Sequence, residues 1–258
     1  MRGPRRGLTV LGALVAFLVL TAAPALAAAT PSPAPTAGTT GTTGLEHATA
    51  GLNQPVSLVL LLGSLSVLPG LLIMVTAFTR IVIVLGFTRS ALGTQAIPPN
   101  QVLIGLAMFL TFFVMGPVFS QANHDAVQPL LKGKITQQQA FDRGIEPFRE
   151  FMLKQVREKD LQLFVDLSGK KPPKDPKDVP TTTLVPAYVI SELRAAFLIG
   201  FIVFIPFIVI DLVVSASLSA MGMAMLPPSL VSLPFKLLLF VAVDGWYLVV
   251  SSLVRSFH

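Results

Sequence analysis

Apolar residues in this chain come in long runs. No charge separates Glu46 from Arg80, and residues 55 to 78 are mostly apolar. A second uncharged run lies between Arg89 and Asp125. A third, residues 186 to 210, is entered by Glu192 and Arg194. A fourth, residues 234 to 254, holds Lys236 and Asp244. About 20 helical residues cross a hydrocarbon core of about 30 Å. The pattern therefore predicts four membrane-crossing helices in two hairpins, residues 52 to 120 and 185 to 258.

The runs are interrupted by a polar insert, residues 121 to 184. Thr136 with Gln139 has the spacing of a capping box, and Pro147 suits the first turn of a second helix. Phe148, Met152 and Val156, then Phe164 and Leu167, recur at helical spacing, with Lys159 and Asp160 breaking the stripe and Phe151 beside it. Lys170 to Pro180 reads as an exposed linker. One or two amphipathic helices are expected, packed on a neighbour or covering their own subunit.

Before the first run, Arg2, Arg5 and Arg6 precede a short apolar stretch and Ala25-Leu26-Ala27. This is the order of a secretory signal peptide, residues 1 to 27, with an uncleaved first helix as the alternative. Residues 28 to 51 are rich in Pro, Thr and Gly and read as a disordered linker. Cleavage would leave the following segment outside. Arg80 and Arg89 would then face the cytoplasm, and the insert and the C-terminus would be exported.

Composition agrees with the pattern. The 258 residues are 53% hydrophobic and 12% charged, against about 25% charged in soluble domains. Mean hydropathy is +0.74. The net charge of +6 loses three arginines with the signal, so it is no argument for nucleic acid. There is no cysteine, which removes disulfides and thiol chemistry. The three histidines, His47, His124 and His258, have no metal-ligand spacing, and no nucleotide or nucleophile motif is present. No cofactor and no enzyme activity are expected. His124 beside Asp125 reads as a solvated pair.

Breakers and charges complicate the simple hairpins. Pro69-Gly70, Gly86, Pro98-Pro99, Gly116-Pro117, Pro206 and Pro227-Pro228 lie in or beside apolar sequence. Proline frees a carbonyl, which in a bilayer must be satisfied by protein or by water in a cavity. Kinked helices packed in an assembly follow. Glu192, Arg194, Asp211, Lys236 and Asp244 are ionisable groups at apolar positions, each costing roughly 2.5–3.5 kcal/mol in lipid on insertion scales. Ion pairs are expected, either within one subunit or between subunits and along a gate. Asp211 and Lys236 are placed to pair across their hairpin.

Met221, Met223 and Met225 alternate with Gly222 and Ala224 just before Pro227-Pro228. Methionine is flexible and fills irregular gaps. Three readings stay open on the residues alone: core filling, a deformable ring closing a pore, and a thioether site for Cu(I).

Two signatures carry a family resemblance. The run from Pro186 through Glu192, Arg194 and Phe197, followed by Ile199-Gly200-Phe201, resembles the first signature of the FliP family. Pro234 through Lys236 to Asp244-Gly245-Trp246 resembles its second. Phe78 to Leu85 and Gly93 to Asn100 also look like this family, and the likeness covers about residues 52 to 257. Leu198 stands where the family often has a polar residue.

The resemblance implies an all-α membrane protein, a homo-oligomeric gate of type III protein export in the inner membrane and the flagellar basal body. FliQ-like, FliR-like, FlhA-like and FlhB-like partners are implied, with unfolded proteins passing through the centre. The insert is expected on the periplasmic side, and the subunits are lifted toward the periplasm. Met221, Met223 and Met225 would form the seal. Glu192, Asp211 and Lys236 would serve subunit contacts or gate stability, and Phe151 and Phe164 ring assembly. A virulence secretion gate on the same fold is the alternative, with a methionine-based copper transporter behind it.

Overall fold

The computed structural model describes residues 70, 73–94, 97–169, 175–223 and 225–257. The expected signal peptide, the linker and most of the first apolar run lie outside these residues. Among the described residues the chain is helical, without strands. In order it forms α1 (Phe78–Ala91), α2 (Asn100–Ala122), a π turn (Asn123–Val127), α3 (Gln128–Leu131), α4 (Gln137–Gln155) and α5 (Glu158–Leu167). A short 3-10 turn (Pro176–Asp178) leads to α6 (Thr181–Ala220), α7 (Pro228–Ala242) and α8 (Gly245–Arg255).

Among the described residues, two stretches are long and apolar enough to cross a membrane, Asn100–Leu131 and α6. Of the four expected crossing helices, most of the first lies outside the described residues, and the fourth is not one straight helix. The fourth run is two helices meeting at 62°, α7 and α8, and counts as one further span only if the bent pair is taken together. The break follows from Asp244, which takes a left-handed φ of 52° between them. At 1.5 Å per residue the 40 residues of α6 extend roughly 60 Å, twice a hydrocarbon core.

Arg80 and Arg89 both belong to α1. Ile81, Val84 and Leu85 lie between them and are fully buried. Burying such side chains stabilises by about 1.5–3 kcal/mol each, so this segment enters the core and takes Arg80 with it. Leu103, Ala107 and Met115 of α2 join this cluster, with Ala196 of α6 and Val249, Leu253 and Phe257 at the end of the chain.

The insert covers its own subunit. Met152 of α4 and Val165 of α5 pack with Val179, just before α6, and with Leu184 and Tyr188 in its first turns. Thr136 forms the expected capping box, its hydroxyl accepting from the Gln139 N–H while the Gln139 side chain accepts from the Thr136 N–H. Pro147 does not open a second helix; it lies inside α4, and the break comes at extended Val156. The inward stripe also shifts. On α5, Val165 is buried and Leu167 is exposed, so the helix meets α6 one position off the expected face.

Candidate functional site

The methionine loop is built by the end of α6. Gly222 has φ 73°, a left-handed conformation that glycine adopts without steric cost. Its N–H donates to the Ser219 carbonyl at 3.1 Å, and the Met223 N–H donates to Leu218 at 3.0 Å. This pair of bonds is a Schellman cap, which satisfies carbonyls the helix end would leave free. On the far side Pro228 starts α7, where its missing N–H costs nothing. The turn is thus fixed at both ends, and its methionine side chains point outward. Met221 is 70% exposed and Met225 98%, with Met223 at 41%.

Charged residues form two anchors. In the first, the Arg80 guanidinium grips the Glu192 carboxylate through two nitrogens, Nε at 2.9 Å from Oε2 and Nη2 on Oε1. Both side chains are buried, Arg80 at 4% and Glu192 at 0% exposure. The remaining donors are used as well. Nη1 donates to the Ser256 carbonyl at 2.8 Å, and Nη2 donates to Gln155 Oε1 at 3.1 Å. Gln155 in turn donates to the Phe257 carbonyl, and the guanidinium lies 4.0 Å above the Phe257 ring. One arginine thereby joins α1, α4, α6 and the residues after α8. In the second anchor Lys236 donates to Asp211 Oδ2 at 2.7 Å, and Ser232 to Oδ1 at 2.6 Å. It ties α6 to α7 beside the Phe207–Phe240 contact.

Ser191, next to Glu192, serves the insert. Its hydroxyl donates to Asp160 Oδ2 at 2.7 Å and accepts from the Arg157 N–H. Arg157 also holds Asp160 through two bonds, at 2.8 and 2.6 Å. The Arg157 hydrogen bonds, with help from Ser191, keep the Asp160 carboxyl below its ordinary 3.8 against the opposing effect of burial. A carboxylate held low stabilises the fold above its unfolded value, and the gain fades as pH falls through the lowered one. Amide exchange at the α4–α5 corner is therefore expected to quicken only as pH falls below the ordinary 3.8. An Asp160→Asn variant should exchange faster already at neutral pH and lack the acid-dependent loosening.

The other expected residues fall in different settings. Arg194 is exposed on α6. Asp244 is exposed at the α7–α8 break and makes no side-chain cap bond. Phe151 faces inward, 6.1 Å from Tyr188 and 6.2 Å from Phe257 between ring centres. Phe164 is half-buried on α5. His124 and Asp125 pair in the open on the π turn. Of the two settings expected for the ion pairs, the chain itself supplies one: Glu192 pairs with Arg80, and Lys236 with Asp211 across their hairpin.

Sequence reading missed Arg80, Gln155, Ser191 and Asp160 as members of these networks. Arg80 carried a usable sign. Like Glu192 it is an ionisable residue against an apolar run, and such a residue needs a counter-charge.

The sequence model of the FliP family matches residues 61–253. The flagellar biosynthetic protein FliP of Bacillus subtilis is 57% identical over 206 residues, 80% of this chain and 93% of its own length. That of Pectobacterium carotovorum subsp. carotovorum is 54% identical over 203 residues, 79% of each chain. That of Caulobacter vibrioides is 51% identical over 210 residues, 81% of this chain and 79% of its own. The matched residues contain the methionine loop, both ion pairs and the insert. With identity this high across most of its length, the chain belongs to the FliP family.

Proposed function

We propose that this chain is a membrane gate subunit of a flagellar protein export apparatus, and that Met221, Met223 and Met225 seal its passage. The carrying observation is the loop itself. Three thioethers stand exposed on a turn that is held at both ends, at the tip of a helix far longer than a bilayer is thick. Such large apolar side chains normally find cover. Copies arranged in a ring supply it by bringing their tips together, and flexible methionines close the gap while yielding to a passing chain. Water and ions are excluded by apolar contact, and an unfolded substrate displaces the side chains without breaking covalent or metal bonds.

The apolar faces left open fit the same reading. Phe109 and Phe113 on α2 and Leu212 and Val213 on α6 are exposed in the single chain. Lipid, further copies and FliQ-like and FliR-like proteins would cover them, with FlhA-like and FlhB-like components delivering substrate. The setting is the inner membrane at the flagellar basal body, with the insert toward the periplasm. Flagellar export is favoured over a virulence system because the relatives above are flagellar proteins by name.

The test is conductance of the assembled gate in a planar bilayer. Replacing Met223 and Met225 by Ala should raise ion leak several-fold over wild type. Leucine at both positions should keep the leak low. Unchanged conductance in the alanine variant would remove the seal. If leucine leaked as much as alanine and the wild-type protein bound Cu(I), the thioether sulfur itself would be the working group.

A further inference from the structure

Of the three charged residues on α6, two are paired, Glu192 with Arg80 and Asp211 with Lys236. Arg194 has no hydrogen bond or ion pair among the described residues. It does act electrostatically on Asp160, but that carboxylate is already held by Arg157 and Ser191. Arg194 stands immediately before the uncharged stretch Ala195–Ile210. A guanidinium at the edge of a span-length apolar helix is stable where it reaches an anion at the headgroup level.

Beside it lies an open cavity of about 390 Å³, lined by Phe87, Arg194, Phe197, Leu198, Phe201 and Phe204. The α6 residues follow Arg194 at three, four, seven and ten positions, so they continue one helix face. Phe87 of α1 forms the opposite wall, with its ring 5.3 Å from that of Phe197 and nearly edge-on. Gly200 makes this wall possible, because a Cβ there would lie 2.7 Å from the Phe87 ring. The cavity therefore has one cationic end and aromatic sides.

We propose that this cavity binds an anionic phospholipid, with the phosphate on Arg194 and an acyl chain along Phe197, Phe201 and Phe204. The inference rests on the membrane setting of the reading above. A guanidinium fork matches phosphate oxygens in pairs. Free phosphate would satisfy the charge and leave the aromatic walls uncovered. A carboxylate of a second copy would do the same. An anionic lipid satisfies both ends of the site.

The experiment uses the full chain purified in non-ionic detergent, with lipid retention read by native mass spectrometry. Wild type should retain phosphatidylglycerol about fivefold over phosphatidylcholine, the scale of one basic residue near an anionic surface. Arg194→Gln should bring that ratio to about one, and Arg194→Lys should keep part of it. Arg194 is exposed, so the glutamine variant should fold, and its melting curve checks this. Equal retention of the two lipids by wild type overturns the proposal, as does a preference that survives Arg194→Gln. Displacement of phosphatidylglycerol by millimolar inorganic phosphate would make the site a phosphate site. A fall in copies per assembly for Arg194→Gln, whatever the lipid, would put a neighbour's carboxylate there instead. Conductance of the methionine variants is read independently, so failure of the seal and failure of the lipid site are distinguishable.

Discussion

Arg80→Ala should cost the protein most of its stability and remove it from the membrane fraction. The substitution leaves the Glu192 carboxylate charged and fully buried without its cation. Breaking a buried pair by deleting one partner costs about 3–5 kcal/mol, against a total stability of typically 5–15 kcal/mol. The loss extends beyond the pair. The Ser256 carbonyl and Gln155 lose their donor, and the Phe257 ring loses the cation above it. Four elements would come apart at one point. Thermal melting in detergent and the amount of protein recovered from membranes both measure this. Arg80→Ala melting like wild type would mean that Glu192 takes up a proton or water at little cost, and the anchor would lose its importance. Arg194→Gln is the control, since an exposed substitution is expected within about 0.5 kcal/mol of wild type.

Gly245→Val should open the α7–α8 corner. A Cβ at Gly245 would lie 2.3 Å from two atoms of the Phe240 ring and 2.7 Å from a third, so the ring must leave its place. Phe240 is held between Phe207 at 6.2 Å and a perpendicular Trp246 at 5.3 Å. Overpacking of this kind costs about 1–3 kcal/mol. The expected result is a lower melting temperature with faster amide exchange from Val241 to Leu248, while α4 and α5 keep their protection. Asp244→Gly should be far milder, because residue 244 already has φ 52° and glycine adopts such angles freely. If the two variants behaved alike, strain in the turn and not the ring contact would govern this corner.

These two sites differ in how far they could be read from the chain. The Asp244-Gly245-Trp246 signature marked the corner as special, but an apolar run of this length reads as one straight helix. Nothing in its periodicity places Phe240 over Gly245, because both faces of the run are apolar. The bend appears only when α7 is packed against α6. The Arg80–Glu192 pair is separated by 112 positions. Each residue is visible as a charge beside apolar sequence; the hairpin topology puts Arg80 on the cytoplasmic side, and Glu192 is left open between a partner in its own subunit and one in a neighbour. A local pattern registers that a charge needs a partner and contains no information about which distant partner folding supplies.

The insert repeats this division. Its first helix start was legible at Thr136 and Gln139, because a capping box is a contact between residues three apart. The break at Val156 and the burial of Asp160 were not, because Ser191 of α6 closes that corner from another part of the sequence. Pro147 misled for the same reason: proline favours helix starts on average, and here packing keeps it inside α4.

The sequence by itself determined that the protein is helical and membrane-resident, that it belongs with the FliP family, and that Met221, Met223 and Met225 gather in one short loop. Length of apolar runs, composition and contiguous signatures are local properties, and each survives any arrangement of the helices. Only the tertiary structure decided which charges neutralise one another, where the fourth run bends, and that the methionine tips stand outside the fold while Phe151 lies within it. Those outcomes depend on which surfaces are removed from water together, and that is a property of helices brought side by side.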